Sequence, residues 1–133
     1  MAQAHSSRKA RPLSPHLQIW RWGPGMTASI LHRATGNALA VAGLGTLLCW
    51  LGSLAAGPEA YARFQSLATS PLGWLVLVGI SWSFFNHLCS GLRHLVLDIG
   101  AGYELENNNR WAAISPVLGI VFTAMFWAVI FYH

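Results

Sequence analysis

The chain has 133 residues, of which 54% are hydrophobic and only 9% charged, and its formal net charge is +4. A soluble domain carries about 25% charged residues, so this composition cannot solvate a globular surface, and the length fits one domain. The basic excess sits mostly near the N-terminus and forms no stripe on a soluble face, which excludes a nucleic-acid binder and reads as membrane topology information.

Residues 1–10 are small and polar, with Arg8 and Lys9 near their end. They hold no apolar run, so they are not a secretory signal, and they are short for a mitochondrial transit peptide. Residues 11–25 are interrupted by Pro12, Pro15 and Pro24, which rules out one continuous helix. Trp20 and Trp22 flank Arg21 and suggest a segment at the membrane surface or against a partner. Residues 1–25 thus form an N-terminal inner-side segment ahead of a transmembrane domain over residues 26–133.

The first span is expected at about residues 28–56 and carries no charge after Arg33. Thr27 or Ser29 is a candidate cap, and Gly57-Pro58 is a stop signal. Gly36, Gly43, Gly45 and Gly52 permit close approach of neighbouring helices. Residues 59–70 read as a short connection with an amphipathic turn through Tyr61 and Phe64. The second span is expected at about 71–99, with Trp74 at an interface and Gly100 to Gly102 ending it. Residues 103–110, with three consecutive asparagines, read as a polar loop. The third span is expected at about 111–132. It is uncharged, contains Pro116, and is the least informative of the three. Cys49 and Cys89 lie in apolar runs outside any CxxC pair and read as small apolar fillers. Basic residues concentrate before the first span and around the second loop. The positive-inside rule therefore places the N-terminus and second loop inside, and the first loop and C-terminus outside.

Residues 83–98 organise the chain. On a helix, His87, Gly91, His94 and Asp98 recur at spacings that put them on one stripe, extended by Ser83 and Ser90. An imidazole, then a residue without a side chain, then a second imidazole is what a helix beside a haem offers. His87 can ligate the iron, and Gly91 lets the macrocycle approach the backbone. His94, about 10 Å further along the axis, reaches the polar edge. The bland alternative is a histidine that only hydrogen-bonds a neighbouring helix. Ionisable groups at membrane depth are costly, and several in register favour a site.

A second cluster opens the first span. Ser29 and Arg33 share a face, with His32 beside them. Arg33 alone would read as a snorkelling side chain. By topology, however, His32 and Arg33 reach the same depth as Arg93 and His94. That cluster suits carboxylates at a cofactor edge, and a hydroxyl beside a guanidinium suits the carbonyl of a quinone.

Two motifs carry a resemblance that covers nearly the whole chain. One is RPLSPHL at residues 11–17, followed by Ser29 and HRATG at 32–36; the other is HLCSGLRHLVLD at 87–98. With these the chain resembles the cytochrome b subunits of succinate dehydrogenase, the larger haem-bearing membrane anchors of respiratory complex II. Leu97, where an aromatic or methionine is expected, and Trp20, where tyrosine is common, depart mildly from the pattern. The resemblance implies an all-α integral membrane protein with three transmembrane helices, bundled with a second small anchor subunit. It implies one haem b shared with that subunit, with His87 as an axial ligand of the iron and His32, Arg33 and His94 at the haem propionates. It implies ubiquinone bound at Ser29 and Arg33. An iron–sulfur subunit and a flavoprotein subunit would oxidise succinate, with no succinate chemistry on this chain. A bacterial inner membrane is expected, with the N-terminus cytoplasmic; a mitochondrial one is less favoured. The rival readings are a structural anchor without haem and a cytochrome b subunit of another quinone-linked oxidoreductase.

Overall fold

The computed structural model describes residues 21–132, so the RPLSPHL motif and Trp20 lie outside the described residues. The described residues form helices α1 (Pro24–Ala38), α2 (Leu44–Ala56), α3 (Pro58–Ala68), α4 (Pro71–Asp98) and α5 (Leu105–Tyr132), with a π-helical turn, Leu39–Gly43, joining α1 to α2. Three stretches are long and apolar enough to cross a membrane: Pro24–Ala56, Pro71–Asp98 and Leu105–Tyr132.

Each helix boundary follows from local chemistry. Pro24 occupies the first turn of α1, where its missing N–H costs nothing. Its N-cap is Gly23, with no side-chain cap, so neither Thr27 nor Ser29 plays the expected capping part. Thr27 lies inside the first turn, where its hydroxyl accepts a hydrogen bond from the Trp22 indole at 2.6 Å. Gly57 sits at φ 106°, a region open to glycine, and Pro58 then starts α3. The expected short connection is therefore an 11-residue helix. Ser70 caps α4 by accepting from the Gly73 amide at 3.1 Å. Gly100 and Gly102, both at positive φ, turn the chain after Asp98. The expected polar loop at 103–110 is mostly helical: α5 begins at Leu105, with Glu106 in its first turn beside the helix dipole. Glu106 pairs with Arg110 one turn later, so the asparagines lie on helix that extends past the apolar span.

The packing is inside-out relative to a soluble bundle. The buried residues are small or polar: Ala28 and Thr35 on α1, Ser83, Asn86 and Ser90 on α4, and Ala112, Ser115, Gly119 and Thr123 on α5. Large apolar side chains such as Leu48, Leu75, Leu95 and Phe131 are exposed, as expected of a surface facing lipid or other spans. A Cβ on Gly119 would lie 2.9 Å from the Asn86 Cα. The α4–α5 crossing is therefore backbone against backbone. The third span, expected to carry little information, supplies the small-residue stripe that lets α4 and α5 meet.

The π turn divides the first span. α1 packs against both α4 and α5, whereas α2 buries no residue and leans on α3. A π turn inserts one extra residue and rotates the following helix face, so the stripe of Ala28 and Thr35 does not continue into α2. The half of the first span that touches the bundle is the half carrying Ser29, His32, Arg33 and Gly36.

Candidate functional site: a three-imidazole cluster between the first and second spans

His87 projects from the middle of α4 toward α1. Its Nδ1 lies 3.1 Å from the backbone carbonyl oxygen of His32. A carbonyl only accepts, so Nδ1 carries the proton in this contact, and Nε2 is left as the unprotonated, ligating nitrogen. The same carbonyl takes the longer arm, 3.1 Å, of the single Thr35 hydroxyl hydrogen, which is shared with the Leu31 carbonyl. The His32 ring stacks on the His87 ring, with centroids 4.0 Å apart and planes 9° from parallel. The His94 ring approaches His32 from about two turns further along α4, at 5.1 Å and 59°. His32 therefore sits between the two imidazoles of α4.

Gly36 makes this arrangement possible. A Cβ there would lie 2.9 Å from the His87 Cε1. The sequence suggested only helix approach for Gly36, but it is the seat of the His87 ring. Gly91 is different: a Cβ there would meet only the His32 Cε1, at 3.9 Å, so the surface beside it is open.

One residue went unremarked in the sequence. Asn86 is among the most buried side chains, and its Nδ2 donates to the Thr35 Oγ1 at 3.3 Å. Thr35 in turn donates to the Leu31 carbonyl at 2.7 Å. This bond fixes the register of α4 on α1 beside the His87–His32 contact. A carboxamide at mid-span, three and four residues from Ser83 and Ser90, is the signal that could have found it.

Ser29 and Arg33 are joined as expected, the Arg33 guanidinium donating to the Ser29 hydroxyl at 3.3 Å. They lie on the α1 face next to the imidazoles, with Arg33 exposed. Arg93, which depth alone would have grouped with His94, turns to α5 and donates to the Asn108 side chain. The reason is angular: adjacent residues on a helix point about 100° apart.

These residues fit a haem. Among the described residues no group of three or more His, Cys, Asp or Glu side chains could hold a metal ion. A haem would ask only one side chain of this chain to hold its iron. His87 would suit that role, since a carbonyl, the usual outer partner of a ligating imidazole, sets its tautomer. His32 Nδ1 is buried without a partner, a donor or acceptor still to be satisfied.

Residues 7–130 match the succinate dehydrogenase/fumarate reductase transmembrane subunit family. The chain is 37% identical over 129 residues to the succinate dehydrogenase cytochrome b556 subunit of Paracoccus denitrificans, covering 97% of this chain and 98% of that one. It is 37% identical over 119 residues to the cytochrome b556 subunit of Rickettsia felis, covering 88% and 90%. It is 33% identical over 117 residues to the mitochondrial cytochrome b560 subunit of Sus scrofa, covering 84% and 66%. A helical architecture with three membrane-crossing stretches, and a match over nearly its whole length, make this chain a member of the succinate dehydrogenase/fumarate reductase transmembrane subunit family.

Proposed function

We propose that this chain anchors a succinate:ubiquinone oxidoreductase in a bacterial inner membrane, binds haem b and forms part of the ubiquinone site. The observation that carries the reading is the His87 Nδ1 contact with the His32 carbonyl. It orients the ring and leaves Nε2 to ligate the iron. When bound, the haem supplies one-electron transfer within the membrane. His32, Arg33 and His94 hold the propionates, the first through its unpartnered buried nitrogen. Asn86 and Thr35 keep the two helices in register while this happens.

Ser29 and Arg33 bind the quinone carbonyl. Arg33 offers several donors in a fixed fork, and the hydroxyl of Ser29 lies against it. A second small anchor subunit would share the haem with this chain. Succinate is oxidised on the flavoprotein, and electrons arrive through the iron–sulfur subunit on the N-terminal, cytoplasmic side. The test is to purify the native assembly through a tag on this chain and record a reduced-minus-oxidised visible spectrum. Bands of the b type, with flavoprotein and iron–sulfur subunits co-purifying, are the expected result. A purified assembly without b-type bands would leave the histidines as interhelical contacts only.

A further inference from the structure

We infer that the cleft between α4 and α5, on the side of α4 away from His87, is a binding site for one anionic phospholipid. The inference does not depend on haem or quinone binding. The cleft encloses about 430 Å³ and is lined almost wholly by carbon. Its mouth is at the loop joining the two spans, where Arg93 and Asn108 meet, and its walls include Leu97, Trp111, Leu118 and Phe122. From Asn108 to Phe122 is fourteen residues of helix, about 21 Å along the span. The lining thus runs from the loop between the spans along the apolar part of α5, as an apolar slot.

The chemistry at the mouth selects the occupant. Arg93 is half-buried, and its Nε is buried with no partner. Its only hydrogen-bonding neighbour among the described residues is the neutral Asn108 side chain. The ion pairs of the described residues are Arg63–Glu59 and Arg110–Glu106, so no carboxylate compensates Arg93. A partly desolvated guanidinium with an unused N–H calls for an anion, and the apolar slot below it calls for a hydrocarbon chain. A phosphodiester headgroup on an acyl chain supplies both. Basic pockets between spans at the membrane boundary take such headgroups. A neutral quinone would leave the charge uncompensated. The slot is also open sideways, since Leu92 and Val96 on its rim are exposed.

The test compares the intact complex carrying Arg93→Gln, Arg93→Lys or Val96→Trp with the parent, all purified in mild detergent. Retained phospholipid is counted by native mass spectrometry, and headgroups are identified after extraction. Phosphatidylglycerol and phosphatidylcholine are then added back separately to delipidated complex. The parent should keep one more anionic phospholipid per copy than Arg93→Gln, and should prefer phosphatidylglycerol by about fivefold, the effect of one cation near the surface. Arg93→Lys should keep most of that preference. Val96→Trp, which fills the slot and leaves the cation, should lower retention of both lipids, so the test stands even if Arg93→Gln fails to assemble. Equal anionic lipid in the parent and both slot variants would overturn the inference. So would a retained quinone in place of lipid, or a Val96→Cys variant crosslinking to another subunit with no lipid displaced.

Discussion

At the scale of single residues, the site depends on one nitrogen being committed elsewhere. His87 gives Nδ1–H to the His32 carbonyl, so anything that displaces the ring also disturbs Nε2, the proposed ligating nitrogen. Gly36→Val would push side-chain atoms into the space of the His87 ring, where even a Cβ is 2.9 Å from Cε1. Haem affinity should fall about 10–100-fold, the usual cost of losing an outer partner of a metal ligand, and haem titration of the isolated complex measures it. Gly36→Ala is milder, because the ring can shift by tenths of an ångström; the expected signature is a moved midpoint potential with haem retained. Helical spacing and resemblance singled out His87, His32, His94, Ser29 and Arg33 as candidates, and the structure brings the three imidazoles together. The sequence did not reveal the role of Gly36 or Asn86, because both act by where a neighbouring helix lies. Periodicity along one helix carries no information about its azimuth on another.

At the scale of elements, the α4–α5 crossing is the closest approach and the most sensitive to added volume. Gly119→Ala would drive a methyl against the Asn86 backbone at 2.9–3.0 Å. Overpacking of this kind costs about 1–3 kcal/mol, so the thermal midpoint of the detergent-purified complex should fall. Haem should be lost earlier in the melt, since Asn86 also ties α4 to α1. Asn86→Leu removes the bond to Thr35, and interhelical hydrogen bonds within membranes average about 0.6 kcal/mol. Its effect on the same melt should therefore be smaller than that of Gly119→Ala. Helix ends at Gly57-Pro58 and Gly100 to Gly102 were legible, because glycine at positive φ and proline are local signals. The π turn and α3 were not. A π turn leaves no compositional mark in an alanine- and leucine-rich stretch, and α3 is short with an exposed Glu59–Arg63 pair that reads equally well as a loop. The early start of α5 was missed for a related reason: asparagine has weak helix propensity, and tertiary contacts such as Arg93 with Asn108 overrode it.

At the scale of the whole molecule, the proposed quinone-side residues Ser29 and Arg33 lie on α1 and the proposed haem ligand His87 on α4, and Asn86–Thr35 and His87–His32 hold the two helices together. Ser29→Ala and Arg33→Leu should lower quinone reduction about ten- to hundredfold, the consequence of losing a donor worth about 1–3 kcal/mol. Succinate oxidation with a soluble artificial acceptor should be preserved on the same membranes. A parallel fall of both rates would instead assign the pair to assembly. The most direct test of the central claim, that His87 ligates haem, is the reduced-minus-oxidised spectrum of His87→Ala complex, normalised to the amount of this chain in the membrane. The b-type bands should vanish or collapse while the chain still inserts, because the apolar spans do not need the imidazole. Unchanged b-type bands at equal protein would show that His87 is not the ligand.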